Sequence, residues 1–243
     1  MSKNYRARIY EKYATDFQDA PQLFDLAAAE RWGKAYDHYF RGWLPEDRNA
    51  RVLDVACGSG RLLQYFKSRG FGRVSGVDIS PEQAMLARQV VPDVVEGDAT
   101  EFLESHKSEY ELIVGLDIVE HLDKDEALRF LEACLAALSS SGQLILQTPN
   151  AESPWGSTHR YNDFTHEIGF NPNSISRLLK LVGFRSPHAR ELGPVPFGYS
   201  MSSTIRAGGW AMIRGSLKLW NLIETGHPGS GVFTRVFLVS ATR

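Results

Sequence analysis

The middle of the chain alternates between short apolar runs and amphipathic stretches. Arg51–Ala56 (RVLDVA) is an apolar run that ends on the turn Cys57-Gly58-Ser59-Gly60, and Arg61–Ser68 then takes helical spacing. Arg73–Val77 reads as a second strand. Ser80 is a natural N-cap with Pro81 at the first helical position, opening a helix over Glu82–Gln89. Further strands are expected at Asp93–Glu96, Glu111–Leu116 and Gln143–Gln147, the last of them after an amphipathic helix at Lys124–Leu138 and a turn at Ser141-Gly142. Strands separated by helices of this length predict an α/β fold with a parallel, doubly wound sheet.

The flanks read differently. Gln22–Phe40 has helical spacing, with Leu23, Leu26, Trp32 and Tyr36 on it, and suits a lid or packing helix over the ligand side. Thr148–Phe170 is loop-like and rich in Pro, Gly, Ser and His, and Asn173–Leu181 follows as a helix. Pro194, Pro196 and Gly198 then interrupt the chain before a helical stretch at Met201–Ile223 and a strand at Val232–Val239. The expected organisation is a helical lid over residues 1–45, a ligand-binding core over 46–192, and an acceptor or oligomerisation insertion over 193–243 that ends in the last strand of the core.

Composition narrows the partners. Hydrophobic residues make up 43% and charged residues 23%, so the chain can fold, and a formal net charge of −2 gives no basic field for nucleic acid. Cys57 and Cys134 are too few for a disulfide framework and lack zinc-ligand spacing. Met1–Tyr13 carries Lys3, Arg6, Arg8, Glu11 and Lys12 without an apolar stretch, so no secretory leader is expected and the cytoplasm is the expected location.

The chemistry gathers at the carboxyl ends of the expected strands, where open parallel sheets bind ligands. Glycines at the first strand-to-helix junction let backbone approach a ligand closely, and a helix N-terminus favours negative charge. Asp78 ends the second strand about twenty residues on, where a carboxylate can accept from both ribose hydroxyls. Asp98 follows the third strand and Asp117 the fourth. No third glycine stands in the dinucleotide register, which disfavours a phosphate loop and a dehydrogenase.

The run from Arg51 to Pro149 resembles the class I S-adenosylmethionine-dependent methyltransferases through LDVACGSG, GVDIS, EGDA, LIVGLDIVEHL and GQLILQTPN. The resemblance implies a Rossmann-like, mostly parallel seven-stranded sheet with helices on both faces, N-terminal helices and a C-terminal helical insertion. It implies S-adenosylmethionine as cofactor. Gly58 and Gly60 then meet the methionine part, with Asp54 and Ala56 on the same wall. Asp78 with Ile79 holds the ribose, Asp98 with Ala99 orients the adenine, and Asp117 and Ile118 complete the cofactor pocket. Ala56 stands where many members have glycine, which should tighten the turn.

An alcohol acceptor profits from a general base, since its proton must leave as the new bond forms. His166, in Tyr161–Phe170, is the preferred candidate, with Asp163 or Glu167 to orient its ring, and the plainer alternative is that it ties the loop to the core. His121, after the fourth strand, is a second candidate base or a pocket-shaping residue. Trp155, Tyr161 and Phe164 are candidate platforms for a sugar ring. His159 and Arg160 would contact an anionic acceptor or simply face solvent. No metal is predicted and chelators should not matter: Asp123 and Asp125, near Asp117, sit where helix caps and first-turn acids are expected.

The DFTHE segment and several C-terminal groups of residues (Ser203-Thr204-Ile205-Arg206, Glu224-Thr225-Gly226, Phe233-Thr234-Arg235) resemble methyltransferases of bacterial surface-glycan assembly. That implies O-methylation of a sugar. A quinone precursor, phenol or amine acceptor, and a non-catalytic cofactor-binding module, are the competing readings. Met201–Ile223 carries Arg206, Arg214 and Lys218 among Ile205, Trp210, Trp220 and Ile223, which suits peripheral contact with the inner membrane face. The favoured expectation is instead that its apolar face packs on the core or on a second subunit of a homodimer.

Overall fold

The computed structural model describes residues 5–12, 15 and 23–243, so Lys3, Tyr13 and Gln22 lie outside the described residues, as does the side chain of Arg8. Seven strands share one mixed sheet: β1 (Arg51–Val55), β2 (Arg73–Asp78), β3 (Val94–Glu96), β4 (Tyr110–Leu116), β5 (Leu138–Pro149), β6 (Arg185–Glu191) and β7 (Val236–Thr242). Their order is β3-β2-β1-β4-β5-β7-β6. The first five run parallel, and β7 inserts antiparallel between β5 and β6. The strand order reverses between β1 and β4, which leaves a crevice at their carboxyl ends.

Each strand sends alternate side chains to opposite faces. On one face Leu53, Val55, Ile113, Leu144 and Leu146 pack against α6 (Lys124–Ala137) and α8 (Pro172–Val182). On the other, Val52, Leu112, Val114 and Ile145 meet α2 (Leu26–Tyr39), α3 (Arg61–Ser68) and α4 (Pro81–Ala87). Two helix starts follow the sequence closely: Ser80 caps α4 with Pro81 in its first turn, and Asp123 forms a reciprocal capping box with Glu126 on α6. Asp123 is thereby committed as a cap.

Other elements depart from the expected pattern. β6, unforeseen, has the sequence RSPHARE; it is an edge strand, where polar residues and a proline are tolerated. α5 (Ala99–Glu104) is a six-residue helix capped by Asp98. The loop after β5 contains α7 (Gly156–Arg160). β7 starts at Val236, four residues later than expected, because the carbonyls of Val232 and Thr234 accept from the Asn150 amide instead of joining the sheet.

α9 (Met201–Thr225) corrects the expectation that its apolar face packs on the core. Ser203 is its only buried residue. The side it turns inward carries Ser203, whose hydroxyl donates to the Val195 carbonyl, and Trp210 and Arg214, which both donate to the Glu191 carboxylate. Met201, Ile205, Met212, Leu219, Trp220 and Ile223 face outward and are exposed.

Candidate functional site

A cavity of about 850 Å³ opens at the crevice between β1 and β4. That volume falls within the usual range of small-molecule sites. One end is built from backbone turns. Gly58, at φ +52°, has open space where a Cβ would stand, so its turn presents bare backbone to the cavity. Asp78 locks that turn: its carboxylate accepts from Gly58 N and from Ser80 N, each at 2.8 Å. Burial raises its pKa, and these two backbone donors pull the other way.

Asp54 lines the same end, fully buried, with its Oδ2 lacking a hydrogen-bond partner. Burial, then the charge of Asp78, pushes its pKa well up. Ala56 and Asp117 end neighbouring strands in the left-handed region, at φ +56° and +57°. Such backbone is strained for residues other than glycine, and strain of this kind gathers at ligand sites. The Asp117 carboxylate accepts from Gln147 Nε2 at 2.7 Å, and Gln147 Oε1 accepts from the Tyr36 hydroxyl at 2.6 Å. The helix α2 is thus tied to the cavity floor.

The other end is built from side chains. His121 Nδ1 lies 2.8 Å from Thr165 Oγ1, and the Thr165 hydroxyl donates to Asp163 Oδ1 at 2.6 Å. Since that hydroxyl's proton goes to Asp163, its oxygen accepts from His121 Nδ1–H. His166 Nδ1 faces the carbonyls of His159 and Arg160 at 3.1 and 3.2 Å, and therefore donates. Both rings line the cavity, 4.7 Å apart between centroids, with their Nε2 edges uncommitted. Burial, then the neighbouring His166, lowers the His121 pKa to about 4, so this ring is neutral near pH 7. Glu120 sits beside them at 1% exposure, with neither carboxylate oxygen hydrogen-bonded. Burial, then the charge of Asp117, raises its pKa strongly.

The structure brings Asp54, Ala56, Gly58, Asp78, Ile79, Asp98, Ala99, Asp117 and Ile118 to one cavity wall. Gly60 does not lie on it. It stands at φ +87°, and a Cβ there would meet Ala87 Cα at 3.0 Å, so this glycine serves the packing of α3 on α4. Asp98 lines the cavity while its Oδ1 caps α5 through Thr100 N and Glu101 N.

His121, His166, His159 and Asp163 also reach the cavity, whereas Trp155, Arg160, Tyr161, Phe164 and Glu167 do not. Trp155, Tyr161 and Phe164 are exposed, and Phe164 makes an edge contact with Tyr5. Arg160 donates to the carbonyls of His166 and Glu167 and so braces the loop. Glu167 accepts from Tyr5 and pairs with Arg6 of α1 (Tyr5–Tyr10). Asp163 orients His121 through Thr165, not His166. Sequence reasoning missed Arg6, Tyr10, Glu120, Gln147 and Asn162 on the wall. Of these, Glu120 is readable as the residue before His121 in the single 3-10 turn that follows β4.

The buried, unpartnered Asp54 oxygen and the open backbone at Gly58 fit a ligand that carries both positive charge and polar hydroxyls, as S-adenosylmethionine does. The comparisons agree. A family model described as "Methyltransferase domain" matches residues 25–188. The chain is similar to the ubiquinone biosynthesis O-methyltransferase of Aromatoleum aromaticum, at 30% identity over 116 residues, covering 43% of this chain and 48% of that protein. The Klebsiella pneumoniae protein of that name is 26% identical over 106 residues, covering 41% and 43%. The chain therefore spans less than half the length of these curated relatives.

Among solved structures, a SAM-dependent methyltransferase from Archaeoglobus fulgidus shares the fold with a TM-score of 0.63 at 22% identity, covering 99% of this chain and all of that one. Phosphoethanolamine N-methyltransferase 2 of Haemonchus contortus, solved with S-adenosylhomocysteine, has a TM-score of 0.60 at 15% identity, covering 87% and 52%. With the family model spanning most of the chain, and the fold shared with these solved structures, the chain belongs to the methyltransferase domain family.

Proposed function

We propose that this methyltransferase methylates a hydroxyl oxygen, on a sugar unit of a glycan or glycan precursor. When bound, the cofactor supplies an electrophilic methyl group on a sulfonium. Asp78 and the Gly58 turn hold it at one end of the cavity, and the acceptor enters at the other. The observation that carries the reading is the pair of uncommitted imidazole edges of His121 and His166 on the acceptor side. An oxygen acceptor must shed its proton as the bond to carbon forms, and this edge stands where that oxygen is activated. The exposed rings of Trp155, Tyr161 and Phe164 flank the acceptor loop as platforms for sugar faces, outside the cavity itself.

A phenolic hydroxyl on a quinone precursor is the second reading, favoured by what the curated relatives are named for. A lipid-carried acceptor would suit α9, whose outward apolar residues stand beside the exposed Arg206 and Lys218 and match an anionic bilayer surface. No helix among the described residues is long and apolar enough to cross a membrane.

The test is incubation of pure protein and methyl-labelled cofactor with a bacterial extract, followed by separation of sugars, lipid-linked glycans, other lipids and macromolecules. Label in the glycan fractions is expected. Label confined to quinone or phenol fractions replaces the acceptor, and no label at all, with cofactor bound, leaves a non-catalytic module. In the same preparation anionic vesicles should float the protein, and protein left wholly at the bottom removes the bilayer role of α9.

A further inference from the structure

We propose that Glu120, His121 and His166 hold one divalent metal ion at the acceptor end of the cavity. The inference rests on the reading that an acceptor oxygen meets this edge, and it concerns what stands there to receive it. One ligand atom from each of the three residues lies within 4.8 Å of the other two. Small side-chain rotations bring such a set onto an ion at the usual distance of about 2.1 Å. Two imidazoles and one carboxylate form a facial set for iron(II), manganese(II) or zinc(II), leaving the remaining positions open.

The surroundings are those of ligands and not of a plain core. Metal-binding histidines are oriented by a hydrogen bond at the other ring nitrogen. Both rings here have one. His121 Nδ1 is held by the Thr165 hydroxyl, itself anchored on Asp163, and His166 Nδ1 is held by two backbone carbonyls. With Nδ1 donating in both, the ring nitrogen left to bind an ion is Nε2.

Glu120 supplies the independent observation. A carboxylate buried to 1% exposure ordinarily has a charged or hydrogen-bonding partner. Neither of its oxygens makes a well-formed hydrogen bond among the described residues, and the neutral Thr148 hydroxyl beside it offers at most a weak one. A cation satisfies this group. The Glu120 backbone carbonyl also accepts from Glu167 N at 2.7 Å and Ile168 N at 3.1 Å, which pins the loop carrying His166 against the residue it would share an ion with. Asp117 adds a second carboxyl to the same wall.

The ion would draw the acceptor hydroxyl into an open position and make it more acidic. The oxygen then gains the methyl group and releases its proton to solvent, while the sulfur keeps the bonding pair of the broken S–C bond. In this arrangement His166 is a ligand and not the base expected from sequence. The expectation of chelator insensitivity is reversed as well.

The experiment uses the full chain without a histidine tag, stripped of metal, and titrated with manganese(II) while the free-ion electron paramagnetic resonance signal is followed. One bound ion per chain is expected. Glu120→Gln should weaken binding more than about tenfold, and Thr165→Val, which removes the support of His121, by about tenfold. Affinity for S-adenosylhomocysteine should stay unchanged in both variants, which also reports on folding. If Glu120→Gln fails to fold, His166→Ala takes its place. Failure of both manganese(II) and zinc(II) to bind at millimolar concentration overturns the proposal, as does binding that survives in both Glu120→Gln and His166→Ala. An acceptor other than a hydroxyl would discard the functional reading while the titration still decides the metal.

Discussion

The two ends of the cavity are built by different means. At the end proposed for the cofactor the cavity-facing surface is backbone, turned out by glycine and by two strained residues and locked by one buried carboxylate. At the end proposed for the acceptor it is side chain: Thr165 aims His121 across 44 positions, while the His159 and Arg160 carbonyls aim His166 from within its own loop. A backbone site is specified by local conformation and tolerates little change. A side-chain site can be re-aimed by exchanging a few residues on one loop, which allows one cofactor architecture to serve many acceptors.

The largest expected effect separates the two ends cleanly. His166→Ala should lower turnover by about a hundredfold or more, the range for losing proton or metal assistance, with cofactor affinity unchanged. Single-turnover rates alongside cofactor titration measure both, and equal losses in the two would dissolve the distinction. Asp78→Ala attacks the opposite end. It removes the acceptor for Gly58 N and Ser80 N together with the expected ribose contact, so about 3 kcal/mol and roughly a hundredfold in cofactor affinity should go. Calorimetric titration with S-adenosylhomocysteine reads it directly, and a loss below tenfold would show that the turn holds without its lock.

The smallest effect sharpens the point about strain. Ala56 sits at φ +56°, where an L-residue costs about 1–2 kcal/mol and glycine far less, while glycine adds roughly 0.5–1 kcal/mol of unfolded-state entropy. Ala56→Gly should therefore stabilise by about 0.5 kcal/mol, read as a slightly higher denaturation midpoint. A clear loss of stability would mean that the methyl group packs better than its conformation suggests.

How far the sequence discloses each end follows from the same contrast. Asp78, Asp98 and Asp117 could be placed because strand ends and caps obey local rules, and those rules fix where the residues point. Gly60, expected at the ligand, stands off the cavity lining: a glycine at a strand-to-helix turn can serve a ligand or a neighbouring helix, and the approach of Ala87 shows the second need here. At the acceptor end the residue types were legible but their directions were not. Glu167 turns to α1, Arg160 braces its own loop, and Trp155, Tyr161 and Phe164 remain at the surface. Tyr36 and Gln147, 111 residues apart, meet only in the fold. β6 escaped notice because an edge strand need not alternate apolar and polar residues.

Glu191 closes the last strand before the excursion that carries α9, and its carboxylate accepts from Trp210, Arg214 and Phe233 N. The departing and returning chain thus meet at one side chain, with β6 and β7 already paired antiparallel behind it. Such a joint behaves as the mouth of a cassette. Segments between Leu192 and Arg235 can be lengthened, shortened or replaced by a tight turn while the two strands keep their register, because closure cost grows only slowly with length. Modularity at this hairpin gives the enzyme a place to change its surroundings without touching its chemistry.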